Sequence, residues 1–245
     1  MGKADLHIHT LHSFDGTASV REVLESAAGA GLDVIAITDH DETRGGPEAQ
    51  QLVGEYGLEV IPGVEVSTHE GHLVALFVET AITPGLSLVE TLLEVGEQGG
   101  IAIAPHPNHP VPNSLPLRTI QEALEHPLAG KFLLGIEACN MNPTHSLFNK
   151  RSAQAAASLP LARIGSSDAH LADMVGAGVT HFEGRTSSDL RYAIESRSTQ
   201  PEQVNHEWRF LVFMRWARLY GQRSKSLSDR EQSRDSLSEP LHSSR

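Results

Sequence analysis

At 245 residues, with 39% hydrophobic and 20% charged side chains, the chain can bury one large core, and α/β barrels of this size are single domains. A net charge of −12 with histidine neutral argues against a general nucleic-acid binder, which needs a basic face. It leaves a small phosphorylated ligand open, because bound cations reverse the local sign.

The single cysteine, Cys139, rules out an intrachain disulfide and sets a cytoplasmic location as the expectation. The sequence shows neither a signal-peptide core nor eighteen apolar residues in a row, so no leader and no spanning helix is predicted.

Ala4 to Thr10 alternates polar and apolar residues and reads as a short strand, with His7 and His9 on one face. Asp15 and Gly16 follow at a turn. Ser19 to Ala30 is a predicted helix with Ser19 and Glu22 as a capping box. Residues 32–38 form a nearly continuous apolar run rich in β-branched residues, as a strand covered on both faces should, and it ends in Asp39-His40-Asp41. A helix over 47–56, with Pro47 in its first turn, precedes strands over 58–66, which contains Glu65, and 72–78, which His72 opens.

Leu86 to Gln98 has helical periodicity. Residues 101–104 read as a strand broken by Pro105-His106-Pro107. A helix over 117–124 and a strand over 133–138, running into Cys139 and Asn140, come next. An alanine-rich helix spans 146–158. A strand from Leu161 leads into Gly165-Ser166-Ser167-Asp168-Ala169-His170, followed by a strand over 178–182 and a helix over 188–195 capped by Ser187 or Ser188. This alternation predicts an α/β fold, a mostly parallel sheet with helices outside, whose site collects at the carboxyl ends of the strands.

Residues 1–200 thus read as one domain. Residues 201–221 hold both tryptophans in an amphipathic helix, Trp208 to Tyr220, expected to dock on the barrel or on a partner. Residues 222–245 are polar and serine-rich and are expected to be a disordered tail.

Histidine is the outlier, at fourteen residues. The candidate metal ligands are His7, His9, Asp15, His40, Glu65, His72, His106, Asp168 and His170. Any one alone reads as a cap, a turn or a solvated ring. Together, most sit where strand topology brings them to one end of one sheet. Nitrogen and oxygen donors without thiolate suit two or three divalent transition ions such as zinc, manganese or iron. Glu137 is open between a role at this cluster and a cap, and Cys139 is expected in the core. His12 and His109 are candidate contacts beside the ligands, and most of the histidines outside the ligand set, a group that also holds His69, His126, His145, His181, His206 and His242, are expected to be solvated.

The ordered set Asp5-Leu6-His7-Ile8-His9-Thr10, Thr38-Asp39-His40-Asp41, Pro62-Gly63-Val64-Glu65, Pro105-His106-Pro107 and Ser167-Asp168-Ala169-His170 resembles the polymerase and histidinol phosphatase (PHP) family, in its stand-alone phosphoesterase form. The resemblance implies that residues 1–200 are a metal-dependent hydrolase domain, a distorted (β/α)7 barrel with a trinuclear metal cluster and phosphoester hydrolysis by metal-activated water. It places His7, His9, Glu65 and Asp168 on one metal, Glu65, His72 and His106 on a second, and Asp15, His40 and His170 on a third. The implied function is a phosphatase or phosphoesterase acting on a small phosphorylated metabolite or nucleotide. The alternatives are an amidohydrolase-type metal hydrolase and a metal-bound domain with a regulatory role.

Overall fold

The computed structural model describes residues 1–204, 211 and 214–223. The strands are β1 (Gly2–Asp5), β2 (Val34–Ile37), β3 (Glu59–Ser67), β4 (His72–Leu76), β5 (Ile101–Ala104), β6 (Leu133–Asn140), β7 (Ala162–Ser166), β8 (Gly178–Phe182) and β9 (Gln200–Gln203). The helices are α1 (Val20–Gly29), α2 (Gly45–Leu52), α3 (Leu88–Glu97), α4 (Leu117–Glu125), α5 (Asn149–Ser158) and α6 (Ser187–Glu195). One sheet carries all nine strands in the order β7-β6-β5-β4-β3-β2-β1-β8-β9.

Strands β1, β2 and β3 pair in parallel, as do β5, β6 and β7. Strand β4 is antiparallel to both its neighbours, and β8 to both of its own. Seven strands therefore share one direction, with β4 and β8 reversed. The two ends of the sheet nearly meet: the Gly165 N–H donates to Thr180 Oγ1 at 3.0 Å, and the same hydroxyl donates back to the Gly165 carbonyl at 2.9 Å. The result is an α/β fold with a nearly closed, barrel-like sheet.

The sequence dictates the layers. Val34-Ile35-Ala36-Ile37 and Ile101-Ala102-Ile103-Ala104 are buried throughout, as strands with both faces covered must be. Helix α1 starts on the Ser19/Glu22 capping box and α3 on the same device from Ser87 and Glu90. Both turn leucine and valine inward, with Val23, Leu24, Leu92 and Val95 buried.

Several boundaries differ from the sequence reading, each for a local reason. Strand β1 stops at Asp5, because the chain beyond it is held by longer-range bonds: His9 N–H to the Ala169 carbonyl, and Thr38 N–H to the Ile8 carbonyl. Helix α2 begins at Gly45 and tightens into a 3₁₀ turn over Val53–Glu55. Another 3₁₀ turn, His145–Phe148, precedes α5. Helix α6 is capped by Thr186, in a box with Asp189, rather than by Ser187 or Ser188. Strand β9 straddles the boundary drawn at residue 200 and carries the sheet on to Gln203. Its Gln-Pro-Glu-Gln has no apolar alternation to reveal it, and Pro201 is tolerable because the strand lies at the sheet edge.

In the C-terminal segment, residues 211 and 214–223 are helical. The remainder of the amphipathic helix (208–210 and 212–213) and tail residues 224–245 lie outside the described residues. No helix among the described residues is long and apolar enough to cross a membrane.

The seam between β7 and β8 sets a packing limit. A Cβ on Gly178 would meet the Ser166 carbonyl and Met141, whereas one on Gly54 would meet nothing within 4 Å. Gly178→Ala is expected to cost about 1–3 kcal/mol by overpacking, and Gly54→Ala to stay within about 0.5 kcal/mol of the parent. Urea midpoints at unchanged m-value check the pair.

Candidate metal centre

All nine predicted ligands come together at the carboxyl ends of the parallel strands. His7 and His9 follow β1, His40 follows β2, Glu65 lies within β3, His106 follows β5, and Asp168 and His170 follow β7. His72 opens its strand rather than ending it, and the reversal of β4 explains why it belongs: it pairs with Ser67, at the carboxyl end of β3.

Glu65 is the hub, 1% exposed. Its Oε1 lies 2.9 Å from His72 Nδ1 and 3.2 Å from His106 Nε2. Its Oε2 lies 3.0 Å from His7 Nε2, 3.2 Å from His9 Nε2 and 3.3 Å from His40 Nδ1. Asp168 Oδ1 faces the same ring of imidazoles, 3.3 Å from His9 Nε2 and 3.5 Å from His170 Nδ1. Asp15 Oδ2 is 3.0 Å from His170 Nε2 and 3.4 Å from His40 Nε2.

Donor atoms within 4.8 Å of one another fall into four sets: His9, Asp15, His40 and His170; His7, His9 and Asp168; His40, Glu65 and His72; His106, His145 and Asp168.

A surrounding layer fixes how these rings point. Glu137, also buried, takes His7 Nδ1 at 2.9 Å on one oxygen; the other accepts from the His106 N–H at 2.7 Å and from Asn140 Nδ2 at 2.9 Å. Of the two roles open to Glu137 in the sequence, these contacts give it the one at the cluster, as a support. With Nδ1–H given to Glu137, His7 turns the lone pair of Nε2 inward.

Ser13 does the same for His9. Its hydroxyl donates to Asp15 Oδ1 at 2.8 Å, so the 3.4 Å contact with His9 Nδ1 is one it accepts. Asp39 accepts from the Thr10 N–H, the Thr10 hydroxyl and the Ser13 N–H, pinning the whole loop. A register shift between Glu137 and Cys139 breaks the alternation of β6, so Glu137 faces the histidines while Cys139 packs beside Gly165, its thiol pushed up to about 12 by burial.

Burial opposes every charge here, yet the cluster overrides it. Despite burial, Asp168 and Glu65 hold the His9 imidazolium up to about 10, and together with Glu137 they hold that of His7 well above its usual range. The imidazoles in turn hold Asp15, Glu65 and Asp168 well below the usual carboxylate range.

The protein does not complete this network by itself. His7 Nε2, His9 Nε2, His40 Nδ1 and His106 Nδ1 are buried with no hydrogen bond among the described residues. The first three lie close to carboxylate oxygens but at angles that do not make hydrogen bonds. Nitrogen and oxygen lone pairs converging on common points, with no thiolate, fit divalent transition cations.

The other histidines sort differently. His12 pairs with Glu48 at 2.7 Å on the surface, and His181 with Glu202. His109 is 6% exposed and stands behind His106. His145, expected to be solvated, instead stacks on His106 with ring centroids 4.1 Å apart and 8° between planes. No sequence pattern announces it, because it sits in an isolated 3₁₀ turn.

A cavity of about 150 Å³ opens onto the cluster, with Asn113, Asn142, Thr144, His145 and Trp216 completing its walls. The Trp216 indole N–H donates to the Asp15 carbonyl at 3.2 Å. Arg44, Lys150 and Arg151, which follow strand ends in the sequence, do not line it; Arg44 pairs with Glu42 at 2.6 Å at the surface.

Comparison with known proteins identifies a family and a fold. The family described as PHP domain matches residues 5–155, and one described as PHP-associated matches residues 146–199. An uncharacterised protein of Methanocaldococcus jannaschii is 44% identical over 123 residues, 46% of this chain and 72% of that one. The 3',5'-nucleoside bisphosphate phosphatase of Chromobacterium violaceum is 37% identical over 111 residues, 42% of this chain and 39% of the relative's length. Among solved structures, PsfC of Pseudomonas syringae superposes with a TM-score of 0.66 at 20% identity, covering 92% of this chain and 99% of that one. At that identity the likeness speaks for the fold.

If divalent cations satisfy the orphaned nitrogens, their removal exposes the cluster's unpaired lone pairs. Dialysis against a chelator is expected to lower the thermal midpoint, and manganese or zinc to raise it again, a hundredfold excess over Kd adding about 2.7 kcal/mol of stability. Scanning fluorimetry with and without added metal reads this directly.

Proposed function

The chain belongs to the PHP domain family, and on that premise we propose that it is a metal-dependent phosphoesterase acting on a small phosphorylated metabolite or nucleotide. The single observation that carries the reading is the placement of Glu65, whose two carboxylate oxygens face two different groups of imidazoles across one buried point. A carboxylate so placed would serve two cations at once. On this reading His7, His9, Glu65 and Asp168 would hold one, Glu65, His72 and His106 a second, and Asp15, His40 and His170 a third.

When bound, such ions supply charge neutralisation of a phosphoryl group and acidify water. The chain's own residues do the rest. Glu137, Ser13 and the Asp168 carbonyl, which faces His170 Nδ1 at 2.9 Å, hold the imidazoles in the tautomers that leave lone pairs free. Asn113, Asn142 and Thr144 line the cavity beside the cluster, with the Thr144 hydroxyl donating to Asn142 Oδ1 at 2.7 Å.

The cavity of about 150 Å³ is smaller than the roughly 300–1,000 Å³ of a pocket that engulfs a whole ligand. It takes a phosphate and the few atoms next to it. Helical residues 214–223 bring Trp216 to its rim, and we read that helix as docked over the third ligand group.

The test is a screen of phosphate monoesters, diesters and carboxamides with the manganese-loaded protein. Turnover of phosphoesters and not of amides is expected. His7→Ala should reduce hydrolysis of an aryl phosphate more than tenfold while leaving the circular dichroism spectrum unchanged. Survival of a tenth or more of the activity would rule the cluster out as the catalytic centre.

A further inference from the structure

Behind His106 lies a second histidine pair that the ligand set does not use. Ser152, fully buried on α5, places its Oγ 2.6 Å from His109 Nε2. His109 Nδ1 in turn lies 3.2 Å from His145 Nδ1. The direction of these bonds follows from one group.

Among the described residues Ser152 Oγ has no other hydrogen-bond partner, and at 0% exposure no solvent reaches it. If the hydroxyl accepted from His109, its own proton would be buried without an acceptor. Ser152 therefore donates. His109 Nε2 then carries a lone pair, which leaves the His109 proton on Nδ1. That proton is given to His145 Nδ1, which must also carry a lone pair. The proton of His145 is then on Nε2, and this atom has no hydrogen-bond partner among the described residues. Both tautomers are thus set by the hydrogen-bond network.

His145 lines the cavity, and one of its ring nitrogens lies within 4.8 Å of donor atoms of His106 and Asp168. By composition these three residues resemble a metal set. The hydrogen-bond chain makes His145 a donor instead, since an Nε2 that bears a proton has no lone pair to give a cation. Stacking on His106 holds the ring in place.

We propose that His145 Nε2–H is a substrate contact, donating a hydrogen bond to an oxygen of the phosphate seated on the cluster, with His109 and Ser152 as positioning residues that fix its tautomer. The proposal rests on the phosphoesterase reading above. It adds a neutral donor to a cavity whose walls hold no lysine or arginine among the described residues.

Two measurements on the full-length, zinc-loaded protein test it. Long-range ¹H–¹⁵N spectra should show His109 protonated on Nδ1 and His145 on Nε2, and Ser152→Ala should disturb that assignment while Ser152→Thr keeps it. The reverse tautomers in the parent protein would overturn the proposal. Second, inorganic phosphate is titrated as an inhibitor of aryl phosphate hydrolysis. His145→Ala should raise its inhibition constant about 10- to 100-fold, the range for a hydrogen bond to a charged partner, with bound metal unchanged. An inhibition constant within twofold of the parent, or a loss of bound metal, would each overturn it. A parent protein that neither hydrolyses phosphoesters nor binds phosphate would instead remove the phosphoesterase reading beneath it.

Discussion

A carboxylate buried at 1% exposure among five imidazole nitrogens is the constraint around which this molecule is built. Glu65 meets solvent only through the cavity, and among the described residues only the His72 and His106 rings hydrogen-bond to it. Taking one such charge out of water costs several kcal/mol unless positive charge meets it. Proton uptake by the rings is one answer, and the carboxylates beside His7 and His9 favour it against burial. Divalent cations are the better one, because they also use the orphaned nitrogens of His7, His9 and His40. Cation binding and folding then share one free energy, and the inward lone pairs fixed by Glu137 and Ser13 are already prepared for it.

The sheet exists to deliver these donors. Parallel strands end on the same side, so a residue just past β1, β2, β5 or β7 arrives at the same place without any long loop. Reversing β4 lets the first residue of a strand join them. Closure through Thr180 and Gly165 brings β7, with Asp168 and His170 behind it, round toward β1. The bridge between Ile8 and Ala169 then seats the first and last ligand pairs side by side, with the His9 and His170 rings 4.3 Å apart.

Much of this is legible in the residues, though not always for the reason that periodicity suggests. Strand alternation pairs His7 with His9. In the fold β1 has ended by Asp5, and the two rings share a face because the extended chain beyond it is held from both sides, by Ala169 and Thr38. The ligand types and their places at strand ends can be read because buried parallel strands have a plain apolar signature that stops where the polar residue begins. Strand β9 cannot be read so, since Gln-Pro-Glu-Gln carries no periodicity. His145 is hidden for a different reason. Its position depends on where a 3₁₀ turn of four residues lands in space, and nothing local encodes that.

The charge balance limits how such a site can bind its ligand. Asp15, Glu65 and Asp168 line the cavity, with Glu137 close behind, in a chain of net charge −12. Left to themselves these carboxylates would repel a phosphate. No guanidinium or ammonium among the described residues stands in the walls to reverse that. Attraction must therefore come from cations held by the donor set, and affinity for phosphate should rise and fall with their occupancy. Neutral groups in the walls, such as Asn113 and Asn142, with the donor proposed at His145, would then add direction rather than charge. A site built this way separates the two tasks: the ions supply charge, and the side chains orient the ligand.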